Sequence, residues 1–145
     1  VREAALEAQR GMRRGLRAAA PHVDALVATP AGRARATAAI ARAGAAIPAD
    51  LVAHLVVGAA RCPAAEDMEA AAAEADWSLD PAAITCPLRI VWGTGDVLLP
   101  WPAAAAAHRR RFPDADWVEL DDVGHCPQLD APLVTAELIL GVTRG

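Results

Sequence analysis

Two residues in this chain, Asp96 and His125, have the types and the settings that proton transfer needs. Residues 88–92, Leu-Arg-Ile-Val-Trp, make a near-continuous apolar run that breaks at Gly93-Thr94-Gly95 and delivers Asp96 into otherwise apolar surroundings. A second run, Asp116-Trp117-Val118-Glu119-Leu120, leads through Asp121-Asp122-Val123-Gly124 into His125. Imidazole changes charge near neutral pH, and an ionised carboxylate can only accept hydrogen bonds. If the two runs are parallel neighbours, both residues emerge at the carboxyl ends of the strands, where open α/β sheets place their sites.

The elements that must hold that pair follow from periodicity. From residue 81 onward the pattern reads strand, helix, strand, helix: residues 88–92, 101–111, 117–120 and 132–140. Pro102 suits a first helical turn, and Arg109, Arg110 and Arg111 put positive charge on that helix's C-terminal end. Asp130 is expected to cap the last helix, with Pro132 just inside it. The crossover between the strands is expected to be right-handed. Upstream, the three- and four-residue spacing of Ala5, Leu6, Met12, Leu16 and Ala19 predicts a helix over 1–20 that Pro21 stops. Further helices are expected over 22–28, over 31–43 ending at Gly44, from Pro48 with Leu51, Leu55, Val52 and Val56 as its apolar stripe, and over 64–75. Two domains result: a helical cap over 1–80 and an α/β part over 81–145. Parallel sheets occur almost only with several strands and both faces covered. Two strands do not meet that condition, so the chain is expected to be the C-terminal part of a larger α/β domain. Its unpaired sheet edge is expected to promote dimerisation or aggregation.

Composition narrows the rest. A length of 145 residues suffices for one modest core, but much of the 54% hydrophobic content is alanine, which buries little surface per residue. The net charge of −4 is uneven: residues 1–42 hold eight Arg against Glu3, Glu7 and Asp24, and the remainder six Arg against fifteen acids. A basic first helix without accompanying aromatics or glycines reads as a solvated face rather than a nucleic-acid surface. Cys62, Cys86 and Cys126 are odd in number and lack a C-x-x-C spacing, which fits reduced thiols in a cytoplasmic protein. A zinc site from Cys62, Cys86, His125 and Cys126 matches no familiar ligand spacing, so no metal is expected. The longest apolar stretch, around 51–60, falls well short of the roughly 20 residues of a membrane span.

The segment Ile84-Thr85-Cys86-Pro87-Leu88-Arg89-Ile90-Val91-Trp92-Gly93-Thr94-Gly95-Asp96-Val97-Leu98-Leu99-Pro100, followed by Gly124-His125-Cys126-Pro127-Gln128-Leu129-Asp130-Ala131-Pro132, resembles the end of an α/β-hydrolase domain. In that family a segment with Cys-Pro, an apolar strand and G-x-x-D-x-x-x-P carries the triad acid, and G-H-x-P-x-x-x-x-P carries the triad histidine. The resemblance covers roughly residues 81–143, and the helical first half is similar in position to that family's lid. It implies a nucleophile, acid, histidine triad in which His125 is the general base and Asp96 orients it. It further implies a hydrolase of esters or similar small apolar substrates that needs no cofactor, its partner being a small-molecule substrate with no nucleic acid and no membrane. Oligomeric state is left open.

The family's G-x-S-x-G elbow and its glycine-rich oxyanion loop are absent here. Ser78, the only serine, has no flanking glycines and reads as a linker residue, so the nucleophile is expected upstream of Val1 and this chain alone is expected to be inactive. An Asp in place of that serine would make a haloalkane dehalogenase, and a cofactor-free haloperoxidase is a further variant of the fold. A different class of reading is a non-catalytic remnant or a helical partner-binding module. Duller roles also stand beside each residue: Asp96 as a helix cap near Trp101, His125 as a packed core histidine, His22 and His108 as solvated side chains, and Asp121 and Asp122 as strand-ending residues in solvent. His54 on the lid, together with Trp92, Leu51, Leu55 and Val56, either lines an acyl pocket or serves ordinary packing.

Overall fold

The computed structural model of the chain describes residues 2–74 and 80–143. Helix α1 (Arg2–Ala19) leads through a short 3-10 turn, Ala20–His22, into α2 (Val23–Val27), α3 (Pro30–Thr37), α4 (Ala49–Arg61) and α5 (Ala65–Glu74). After a second 3-10 turn at Pro81–Ala83 come β1 (Arg89–Gly93), α6 (Ala103–Arg111), β2 (Asp116–Leu120), α7 (Pro127–Asp130) and α8 (Pro132–Thr143). Strands β1 and β2 pair in parallel, Arg89 opposite Asp116 and Gly93 opposite Leu120. The molecule is thus mostly helical with a small two-stranded parallel sheet, an arrangement compatible with part of an α/β fold. Ser78 and Trp77 lie outside the described residues.

The helical half closes on Val27, Ala41, Ile47, Val52 and Val56, with Leu16 and Val23 packed around them. Val52 and Val56 stand one turn apart on α4 and are fully buried, each worth about 1.5 kcal/mol or more in transfer free energy. Leu51, placed in the same stripe from sequence, is exposed instead, and Leu55 is only half-buried. The expected apolar stripe is thus narrower in the structure, where Val52 and Val56 alone of the four are fully buried.

Helix α3 starts where Thr29 accepts a hydrogen bond from the Gly32 N–H at 3.0 Å, with Pro30 in the first turn. It ends at Thr37, six residues short of the expected boundary. Thr37 is almost wholly buried, its hydroxyl donates to the Arg33 carbonyl, and the Ile40 and Ala41 N–H groups both turn back to the Thr37 carbonyl. Residues 42 and 43 then give their N–H groups to a carboxylate 87 and 88 positions away, which removes them from any helix. Leu129 of α7 packs against the same helical core.

Arginines of α1 are paired off rather than free. Arg10 and Arg13 reach Glu69 of α5, and Arg17 reaches Glu66. Glu66 in the first turn of α5 and Glu69 three residues further on thereby answer part of the charge excess of the first 42 residues.

In the sheet half, Trp92 is buried between α6 and β2, its ring 5.2 Å from His108 and 6.1 Å from Trp117. His108 is exposed, as expected, and its ring also lies tilted against Trp92. Arg109 lies over the Trp117 ring and pairs with Glu119, so the basic end of α6 is tied back to β2. Arg89 bonds both Asp116 and the Leu138 carbonyl, fastening α8 to the start of the strands.

Candidate active site at the strand ends

Past Gly93 the chain of β1 cannot run straight on, because the loop after β2 crosses it closely. A Cβ on Gly93 would sit 2.1 Å from the Val123 carbonyl oxygen, so only glycine fits there. Three hydrogen bonds fix the two loops together: Thr94 N–H to Leu120 O, Gly95 N–H to Val123 O, and Asp122 N–H to the Thr94 hydroxyl. Asp122 takes a left-handed conformation at φ 51°, one that Asp tolerates better than most residues. Asp121 accepts from the Thr94 hydroxyl and Asp122 from Arg42 Nε at 3.0 Å. Both were expected only to end a strand in solvent. They are exposed, yet they are part of the fastening.

Those loops bring together the two residues singled out from sequence. His125 Nδ1 lies 2.9 Å from Asp96 Oδ2. The other oxygen of Asp96 accepts from the Leu98 and Leu99 N–H groups at 2.8 and 2.9 Å. Asp96 therefore caps its own following turn and orients the histidine at the same time. Its side chain is 6% exposed and that of His125 35%, so the carboxylate is shielded while one edge of the ring faces outward. Because an ionised carboxylate only accepts, Nδ1 carries the proton and the neutral ring keeps its lone pair on Nε2. Among the described residues Nε2 has no partner. The arrangement can take a proton from a group brought to Nε2 and hold the resulting imidazolium against a buried charge.

Cys126 follows directly. Burial pushes its thiol above the ordinary range, a hydrogen bond with Gln128 works against this, and the carboxylates of Asp96 and Asp130 add to it. A thiol held protonated is a poor nucleophile. Among the described residues no group of three or more His, Cys, Asp or Glu side chains is arranged to hold a metal ion.

Asp130 corrects the sequence reading most. Expected to cap α8, its carboxylate points away and accepts N–H groups from Arg42, Ala43 and Gly124. Periodicity assigns caps from local sequence and carries no sign of a partner nearly ninety residues upstream. An apolar cavity of about 550 Å³ lies among helices α1 to α4, lined by Leu16, Leu26, Ile40, Val52, Leu55 and Val56. Leu51 and Trp92 are not in it, nor are Asp96 and His125, and His54 is exposed. It approaches the site through Ile40, whose carbonyl accepts the Cys126 N–H at 2.8 Å.

No family model matches the chain. Over 73 residues it is 40% identical to a pimeloyl-[acyl-carrier protein] methyl ester esterase of Aromatoleum aromaticum, a stretch that takes in 50% of this chain and 29% of that relative. That match supports a hydrolase-fold relationship. The chain spans under a third of the length of the curated relative it matches. No solved structure matches. Among the described residues no helix is long and apolar enough to cross a membrane.

Proposed function

We propose that Asp96 and His125 are the acid and the base of a triad that hydrolyses carboxylic esters of apolar acyl groups, with residues 1–80 serving as its cap and 81–145 as part of its core. The observation that carries this reading is the 2.9 Å contact between a shielded carboxylate and a ring whose second nitrogen stays open. Partial identity to an esterase adds to it. His125 takes the proton of the attacking nucleophile and returns it to the leaving alcohol, a role contributing roughly 10²–10⁴-fold. Asp96 keeps the ring in the tautomer that leaves Nε2 basic. In this reading the nucleophile is not among these 145 residues. The cap cavity, at about 550 Å³, is within the range of about 300–1,000 Å³ found for small-ligand sites and suits an aliphatic chain.

The test is made on the protein encoded by the complete reading frame that contains these residues. His125→Ala and Asp96→Asn are each expected to reduce p-nitrophenyl ester turnover steeply, the amide change by about 10⁴-fold as in a serine protease of another fold. Wild-type turnover by either variant would overturn the assignment. Codons upstream of Val1 separate the neighbours: Ser between glycines agrees with ester hydrolysis, Asp there with dehalogenation, and a start codon at Val1 with a non-catalytic module.

A further inference from the structure

We infer that Asp130 is the positioning residue for His125, holding the histidine loop against the turn at residues 40–43 of the helical half. The inference rests on the reading of Asp96 and His125 as an acid–base pair and adds to it the group that sets where the ring stands. Three backbone N–H groups from two distant stretches converge on this one carboxylate. Oδ1 accepts Arg42 and Ala43 at 2.9 and 2.7 Å, and Oδ2 accepts Gly124 at 2.7 Å, with Arg42 also 3.0 Å from Oδ2. Gly124 is the residue immediately before His125. On the other side of the ring, the Cys126 N–H donates to Ile40 O at 2.8 Å. The residues on either side of His125 are thus both tied to the turn at 40–43, Cys126 directly and Gly124 through the Asp130 carboxylate.

Packing leaves that loop little freedom. A Cβ on Gly124 would lie 3.0 Å from both Ala41 Cα and Ile40 O and 3.1 Å from Asp130 Oδ2, so the two stretches are in backbone contact. The Arg42 side chain runs over Gly95, next to Asp96, before reaching Asp122. One turn of the helical half therefore touches the loops of both Asp96 and His125. A carboxylate is the only side chain that accepts on both atoms in this setting. The amide of Asn would turn an N–H₂ toward one set of donors and leave them unsatisfied. Since charge-assisted bonds to backbone N–H groups are about twice as strong as neutral ones, their loss frees the loop rather than shifting it slightly.

The experiment uses the protein encoded by the complete reading frame that contains this chain and follows the His125 Nδ1–H proton and the Arg42, Ala43 and Gly124 amides by NMR. In the unaltered chain the three amides are expected to exchange at one common rate relative to each amide's intrinsic rate, because they open when one acceptor is lost. Asp130→Asn is expected to speed exchange of the His125 Nδ1–H proton at least about tenfold, with the buried Trp92 indole proton unchanged as the measure of an intact sheet. An unchanged His125 proton in Asp130→Asn, or three unrelated amide rates in the unaltered chain, would each overturn the inference. Should the variant fail to fold, the amide rates decide alone. Asp96→Asn keeps the two readings apart: it must abolish the bonded Nδ1–H signal if the acid–base pair is real, whatever Asp130 does.

Discussion

At the residue scale the site is a matter of which oxygen accepts which proton. Asp96 spends one oxygen on the Leu98 and Leu99 N–H groups and the other on His125. That division lets one side chain close its own following turn while bonding the histidine, whereas the helix-cap role expected near Trp101 is not found, since α6 begins at Ala103 with Pro102 at its N-cap. Gly93 is what allows the loops to meet, and its replacement tests the closeness. Gly93→Ala would put a methyl group 2.1 Å from Val123 O and 2.5 Å from Gly124 O. Overpacking of this kind costs about 1–3 kcal/mol, occasionally more. A denaturant titration is expected to show that loss, and a midpoint equal to the unaltered chain's would contradict the close crossing.

Among elements, α4 and α3 carry the helical half and thereby the turn at 40–43. Val52 and Val56 make α4 the element with the most completely buried side chains, packed on Val27 and Ile47. Truncating Val52 to Ala removes two methyl groups from a site with no solvent access, a loss of roughly 2 kcal/mol once the cavity is counted. The same change at Leu51, which is 39% exposed, is expected to cost much less. Paired thermal melts check the contrast, and equal costs would mean that α4 presents a different face to the core. In α3 the boundary at Thr37 matters more than helical propensity. Residues 40–43 leave the helix because their N–H groups have better partners in Thr37 and Asp130.

For the whole molecule, the fastening between the halves is narrow. Leu129 on the helical core, the Asp130 carboxylate, the Cys126 to Ile40 bond and the Arg42 to Asp122 pair lie within one small region, and the site is beside it. Elsewhere the sheet half shows unburied apolar surface on α8, where Leu133 and Ile139 are 79% and 59% exposed. Each of the two strands also has one edge without a backbone partner among the described residues. Unpaired edges beside exposed apolar side chains template association. Sedimentation at rising concentration is expected to show a growing average mass, and a constant monomer mass across the range would count against it.

Local sequence determined the two strands to within a residue, their parallel pairing, most helix starts, and the position of Asp96 and His125 beyond the carboxyl ends of the strands. Those follow from short-range causes: apolar runs, proline and glycine breaks, and residue types with known proton chemistry. The 2.9 Å contact, the early end of α3 and the true partners of Asp130 belong to tertiary structure alone. The histidine contact spans 29 residues, and the bonds of Asp130 to Arg42 and Ala43, which take the chain after α3 out of the helix, span 88 and 87. A hydrogen-bond acceptor satisfied at such range leaves no periodic trace along the chain, so only the folded arrangement of the backbone decides it.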